Sequence, residues 1–173
     1  MLKSKRIILE SLKESDLHIL FKWMNDRDLR LFNSNYYPVS EEQHKNWFEN
    51  LQNKKDTFFF TIRLLETNEL IGTCQLHSLN WIYRSAELQI RIGEKQYQNK
   101  GFGSEVLKLL LNFAFNDVNL KRISLHVFST NSRAIHFYEK NGFKKEGILR
   151  KAAYIDGSYI DTIIMSILDE DHE

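Results

Sequence analysis

Gln98-Asn99-Lys100-Gly101-Phe102-Gly103-Ser104 stands between a strand pattern and a helix pattern, and the architecture of the chain follows from that junction. Upstream, in Ser85–Ile92, Ala86, Leu88, Ile90 and Ile92 fall on one face and Glu87, Gln89 and Arg91 on the other, the period-two pattern of a strand. Downstream, from Gly103 to about Asn116, leucine and phenylalanine recur at helical spacing. A strand-to-helix turn gathers unpaired backbone N–H groups at the positive end of a helix dipole, which makes it a seat for an anion. Glycine at 101 and 103 lets a diphosphate approach those amides and permits a positive φ. Taken alone, Gly-x-Gly after a strand is also an ordinary tight turn, and both readings stand at this point. Other phosphate loops fit worse, because the chain has no Gly-x4-Gly-Lys-Ser/Thr and no third glycine at dinucleotide spacing in an early βαβ unit.

Working outward, Ile123, Leu125 and Val127 alternate in a further strand, and Asn131-Ser132 can cap a short helix that stops at the glycine signal Asn141-Gly142. Residues 145–154 and 159–168 are strand-like runs around an Asp156-Gly157 turn. Toward the N-terminus, runs 58–65 and 70–79 join across Glu66-Thr67-Asn68-Glu69 as a hairpin. Ser40-Glu41-Glu42-Gln43 has the capping-box form and opens a helix with Trp47, Phe48 and Leu51. Ser15-Asp16 offers an N-cap for an earlier helix carrying Leu17, Leu20, Phe21 and Met24, expected to end near Asn25-Asp26. Residues 6–10 read as the first strand. The order β-α-α-β-β-β-α-β-α-β-β predicts an α/β (α+β) fold, a mixed sheet with helices on its faces. No repeat or Pro/Gly/Ser-rich linker interrupts it, so residues 1–173 read as a single domain.

Composition narrows the function. The 173 residues are 42% hydrophobic, 13% aromatic and 27% charged, the make-up of a soluble globular chain. With 24 Lys plus Arg against 23 Asp plus Glu, the formal charge of +1 gathers no polyanion, so nucleic acid is not an expected partner. The clusters Lys3-Ser4-Lys5-Arg6 and Lys144-Lys145 are short, lack interleaved aromatics, and read as solvated surface rather than a phosphate track. The six histidines form no i,i+4 pair and one cysteine gives no zinc spacing, so no metal is expected. That cysteine, Cys74, closes no intramolecular bridge and sits in a strand run with no histidine spaced to activate it, which reads as a small hydrophobe in a reducing compartment. The charged first 15 residues contain no apolar signal core, and no window nears the roughly 20 apolar residues of a membrane span. The expectation is a cytoplasmic protein with no membrane partner.

Two motifs together resemble a known family, the Gcn5-related N-acetyltransferases (GNAT). Gln98-x-x-Gly101-x-Gly103 is similar to the family's acyl-CoA motif Gln/Arg-x-x-Gly-x-Gly/Ala and follows the fourth strand. Asn131-Ser132-Arg133-Ala134-Ile135-His136-Phe137-Tyr138-Glu139-Lys140-Asn141-Gly142-Phe143 is similar to its Asn-x-x-Ala-x-x-x-Tyr-x-x-x-Gly-Phe helix and exit turn. The resemblance runs over most of the chain and is strongest over residues 70–168. Ala86-Glu87-Leu88, Glu146-Gly147 and Asp156-Gly157-Ser158-Tyr159 resemble the branch holding ribosomal-protein N-terminal and spermidine acetyltransferases. Gly93-Glu94-Lys95-Gln96-Tyr97 departs from the pattern, a residue longer than the usual approach and without its frequent proline.

The resemblance implies a mixed, mostly antiparallel sheet of about seven strands, splayed between strands 4 and 5 and flanked by about four helices. It implies acetyl-CoA as cosubstrate and direct attack by a primary amine in a ternary complex. The pantetheine arm would pair with the backbone of Ile90, Arg91 and Ile92, and the diphosphate would lie on Gln98, Asn99, Lys100, Gly101, Phe102, Gly103 and Ser104. Asn131 would bond the pantetheine, cap its helix, or do both. Because a free alkyl amine titrates near about 10, a base is needed at neutral pH, and Glu87 is the candidate. The competing reading makes Glu87, Gln89 and Arg91 a solvated face. Tyr138, a phenol protonated at neutral pH, would donate to the leaving sulfur; without the motif it would read as core packing.

The implied acceptor is a small-molecule amine or amino sugar, with a protein N-terminus as the runner-up. A non-catalytic acyl-CoA-binding module is the alternative of another class. Candidate acceptor-site side chains are Trp23, Asn25, Phe32, Tyr36, Tyr37, His44, Trp47, Trp81, Tyr83, Tyr154 and Tyr159, many of them also core candidates. No acidic cluster marks a polyamine pocket, and pairing of strand edges makes a homodimer a possible assembly.

Overall fold

A computed structural model of the chain describes residues 1–31, Ser34 and 36–172. These fall into two compact units.

The first unit comprises Met1–Glu14, Lys55–Ile123 and the last residues from Leu168. Strands β1 (Leu2–Lys3), β2 (Ile7–Glu10), β3 (Phe58–Leu64), β4 (Leu70–Asn80) and β5 (Ser85–Ile92) pair in sequence order, each antiparallel to the next. β5 has the bounds its alternation predicts, with Ala86 and Leu88 buried. A single short turn, Lys95–Tyr97, leads to the glycine stretch, and helix α4 (Phe102–Asn112) follows and runs into a π turn at Phe113–Asp117. The leucine spacing puts Val106, Leu107, Leu110 and Leu111 on one buried face, and Ile7, Leu9, Ile62, Ile71 and Leu76 are among the sheet's buried residues. Phe113 meets Phe58 and Phe60 edge-on at 5.1 and 5.5 Å between ring centres.

The second unit comprises Ser15–Lys54 and Ser124–Ile167. It holds α1 (Leu17–Met24), α2 (Arg27–Leu31), α3 (Glu41–Gln52), most of β6 (Arg122–Phe128), α5 (Ser132–Lys140), β7 (Lys144–Ile155) and β8 (Ser158–Leu168). β8 lies between β6 and β7, and β7–β8 is an antiparallel hairpin. Its turn has left-handed φ at Asp156 (47°) and Gly157 (84°), as a tight Asp-Gly hairpin requires. The capping box at Ser40 forms both ways, Gln43 N–H donating to the Ser40 hydroxyl at 3.2 Å and Ser40 N–H to the Gln43 side chain at 2.9 Å.

The fold is the mixed, mostly antiparallel α/β arrangement expected, with eight strands and five α-helices among the described residues where about seven and four were anticipated. The additions are β1 and α2, two and five residues long, too short to show a hydrophobic period. At the start of α1, Asp16 is buried and helical and makes no side-chain cap; a single 3-10 turn at Glu14–Asp16 begins the helix instead. Among the described residues no helix is long and apolar enough to cross a membrane.

Candidate active site

In the first unit, Gly101 is the N-cap of α4 with φ 83°, the left-handed conformation that glycine adopts without penalty. It brings no capping side chain, and the first intrahelical bond is that of Glu105 N–H to the Gly101 carbonyl at 3.3 Å. The N–H groups of the helix's first turn are therefore left for a ligand, as an anion seat requires. Asn99 is also left-handed, at φ 60°. Gln98 does not reach out of the turn: its side-chain amide donates to the Ile92 carbonyl at 3.0 Å and ties the turn to the end of β5. Phe102 is buried, edge-on to Tyr97 at 5.8 Å, so only its backbone faces the seat. The Tyr97 hydroxyl donates to Glu69 at 2.6 Å, and that hydrogen bond is the main cause of the phenol's raised pKa.

β5 runs antiparallel to β4, with Glu87 opposite His77, Gln89 opposite Gln75 and Arg91 opposite Thr73. The Gln75 amide donates to Gln89 at 2.7 Å. Glu87 is half-buried in this polar ladder rather than on a solvated face. Ile90 and Ile92 are half-buried as well, less covered than Ala86 and Leu88 on the same face.

Sequence reasoning passed over Gly72 in β4, although a lone glycine in an otherwise apolar strand is a recognisable sign of close backbone approach. A Cβ there would lie 2.3 Å from the Arg91 carbonyl oxygen and 3.1 Å from the Ile92 Cα. Just beyond, the N–H groups of Gly93 and Glu94 both donate to the Ile71 carbonyl, at 2.9 and 3.2 Å. Gly72 thus sets the path of β5 at the residues expected to face pantetheine. Cys74, opposite Ile90 and Phe60, is buried, and burial pushes its thiol far above the ordinary range. It stays protonated at neutral pH and is no nucleophile.

In the second unit, Asn131 caps α5, its side-chain oxygen accepting from Ala134 N–H at 3.1 Å. With the oxygen engaged, the amide NH2 remains to donate to a ligand, so capping and binding are compatible. Tyr138 lies seven residues on, two turns along and on the same side of the helix. Its ring packs against Phe137 and Phe143 at 5.0 and 5.3 Å. Part of the ring stays exposed, yet the phenol is enclosed enough that burial pushes its pKa up to about 12. Its hydroxyl has no hydrogen-bond partner among the described residues.

The acceptor candidates separate. Trp23 and His44 are buried core, with His44 bonded to the Leu17 carbonyl at 3.0 Å and stacked on Trp47 at 5.3 Å. Asn25 is structural, bonding the Val39 backbone both ways at 2.9 and 3.1 Å. Tyr36 lies under the Arg27 guanidinium at 5.7 Å. Tyr37, Trp81, Tyr83, Tyr154 and Tyr159 are exposed. Phe32 lies outside the described residues.

A family model described as an acetyltransferase (GNAT) domain matches residues 6–144. The chain belongs to the GNAT acetyltransferase family. It is similar over almost its whole length to a spermidine N(1)-acetyltransferase of Vibrio cholerae, 31% identical over 170 residues, covering 95% of this chain and 94% of that one. A putative ribosomal N-acetyltransferase of Bacillus subtilis, YdaF, is 29% identical over 110 residues, covering 64% of this chain and 60% of the other. Among solved structures, the crystal structure of spermidine N-acetyltransferase from Vibrio cholerae in complex with CoA and spermine superposes with a TM-score of 0.91 at 30% identity, covering 97% of this chain and 98% of that one. Membership makes this GNAT protein an acyltransferase of the N-acetyltransferase class, as its two motifs implied.

Proposed function

We propose that this GNAT enzyme uses acetyl-CoA to acetylate a primary amine of a small polyamine of the spermidine kind. The observation that carries the reading is likeness along both full chains to an enzyme named for spermidine, against a likeness to the ribosomal type that covers about three fifths of each chain. The residues fit the coenzyme. Left-handed Gly101 opens the first turn of α4 to a diphosphate, the backbone of Ile90, Arg91 and Ile92 is set by Gly72, and Asn131 keeps a donor amide. Gln98, Asn99, Lys100, Phe102, Gly103 and Ser104 complete the seat through the main chain.

Bound acetyl-CoA supplies an acetyl thioester, an acyl donor that an amine attacks directly. The chain's residues handle the protons. An alkyl ammonium with a pKa near 10 is neutral in only about one molecule in a thousand at pH 7. Glu87 accepts its proton, directly or through one water, before or during attack. Tyr138 donates a hydrogen bond to the sulfur as negative charge develops there. With its pKa raised the phenol holds its proton more tightly than a thiol does, so its contribution is the hydrogen bond, and as the C–N bond forms and the C–S bond breaks the leaving sulfur takes the second proton that the nitrogen sheds. The protonated thiol of Cys74 keeps an acetyl-enzyme route closed.

Release of free thiol from acetyl-CoA against spermidine, nucleotide-linked amino sugars, aminoglycosides and N-terminal peptides tests the acceptor. Spermidine is expected to turn over fastest. Faster turnover of a peptide would restore the N-terminal reading, and CoA affinity without turnover of any amine would mark a binding module. Glu87→Gln is expected to displace the pH profile of kcat/KM upward, because the amine must then lose its proton to solvent near its own pKa. A profile identical to the parent's removes Glu87 as the base.

A further inference from the structure

Lys3-Ser4-Lys5-Arg6 reads in the sequence as solvated basic surface, but Arg6 occupies a specific place beside the phosphate turn. We propose that Arg6 is a positioning residue for coenzyme A: one guanidinium neutralises the two oxygen groups beside the turn that would repel a diphosphate, the Lys100 carbonyl and the Glu105 carboxylate. The proposal rests on the coenzyme reading above.

Four observations within the first unit carry it. Arg6 Nη1 donates to the Lys100 carbonyl at 3.1 Å. Arg6 Nε donates to Glu105 Oε1 in a charge-assisted bond, while the other carboxylate oxygen accepts from the Ser4 hydroxyl. The guanidinium lies over the Phe102 ring, 4.3 Å from its centre. Its Nη2 comes within 3.3 Å of where a Cβ on Gly101 would be, so the absent side chain at 101 leaves room for the arginine as well as for a ligand.

Glu105 stands in the first turn of α4, where a carboxylate suits the helix dipole. The same charge is unfavourable once a diphosphate occupies the N-terminus. Burial alone would raise its pKa, but the hydrogen bonds from Ser4 and Arg6 outweigh burial and hold the carboxyl below its ordinary range. Glu105 is therefore a full negative charge at neutral pH, and Arg6 is the cation set against it. The Lys100 ammonium is turned to the Tyr97 ring, 5.8 Å from its centre, while the Lys100 carbonyl is the group that Arg6 holds.

The test is a double-mutant cycle read by calorimetric titration with CoA and by steady-state kinetics. Arg6→Gln is expected to weaken CoA binding about tenfold or more and to raise the acetyl-CoA KM alike, with kcat at saturation within about twofold, as loss of a uniform binding term requires. Adding Glu105→Gln is expected to recover most of the loss, since the unquenched charge is then gone. The Arg6→Gln defect should also shrink as salt rises and screens the repulsion. A merely structural role predicts the opposite for the pair, with both partners lost and affinity no better. Arg6→Lys, which keeps the charge but lacks the fork, is expected to fall between parent and Arg6→Gln, and it serves if the glutamine variant does not fold. A double variant as weak as Arg6→Gln, or an Arg6→Gln variant that binds CoA like the parent, overturns the proposal alone. A parent that binds no CoA overturns the coenzyme reading and the proposal with it.

Discussion

Replacing Tyr138 with phenylalanine is expected to lower kcat by about 10²-fold or more while acetyl-CoA affinity changes little. The ring stays, so its contacts with Phe137 and Phe143 persist and the helix keeps its face. What goes is one hydroxyl with no partner among the described residues, so the folded chain loses no internal hydrogen bond and thermal stability should hold. The cost falls on the transition state, where the sulfur gathers charge and loses its hydrogen-bond donor. Burial raises the phenol's pKa to about 12, so any alkaline fall in the parent's kcat owed to Tyr138 is centred near that pH and not near the ordinary 10.0. The sign for stability follows. The folded pKa lies above the ordinary value of 10.0, so the neutral phenol's contribution is complete below pH 10 and is lost as pH rises toward 12. Stopped-assay turnover of the two proteins at saturating acetyl-CoA decides the matter, and an unchanged kcat removes Tyr138 from the chemistry.

Gly72→Ala is expected to destabilise the fold by about 1–3 kcal/mol, the usual cost of forcing atoms into a packed site, and to weaken CoA binding with it. The added methyl meets the Arg91 carbonyl at 2.3 Å, and a backbone oxygen between two strands cannot swing aside as a side-chain tip can. The strand must move instead. That displaces Ile90, Arg91 and Ile92, the residues proposed to pair with pantetheine, and strains the paired bonds of Gly93 and Glu94 to Ile71. Urea unfolding and CoA titration of the same sample measure both effects. Parental stability would show that β5 can shift without cost, and the argument from close approach would fail.

Elements with a strong period were legible in one dimension. β5 and α4 matched their patterns because burial of alternate residues, or of every third and fourth, leaves a mark on the sequence, and α5 matched its cap at Asn131 and its stop at Gly142. The glycine turn was legible for another reason, since left-handed backbone at the start of a helix asks for glycine, whereas Asn131 and Tyr138 stood out only through the family motif they resemble. The acceptor side chains were not legible, since a buried Trp23 and an exposed Trp81 are alike as letters and differ only in what packs over them.

Pattern along the chain settles the α/β class, the glycine turn at residues 98–104, the helix that carries Tyr138 and, through the joint resemblance of two motifs, an acetyltransferase. Each of these depends on local spacing or on one residue's backbone freedom. It took the folded chain to show that Gly72 admits the Arg91 carbonyl, that Asn25 and His44 serve the packing of the helices, and that Arg6 crosses 99 positions of chain to reach Glu105. Those contacts join residues distant along the chain, and which charges meet is settled by how strands and helices stack.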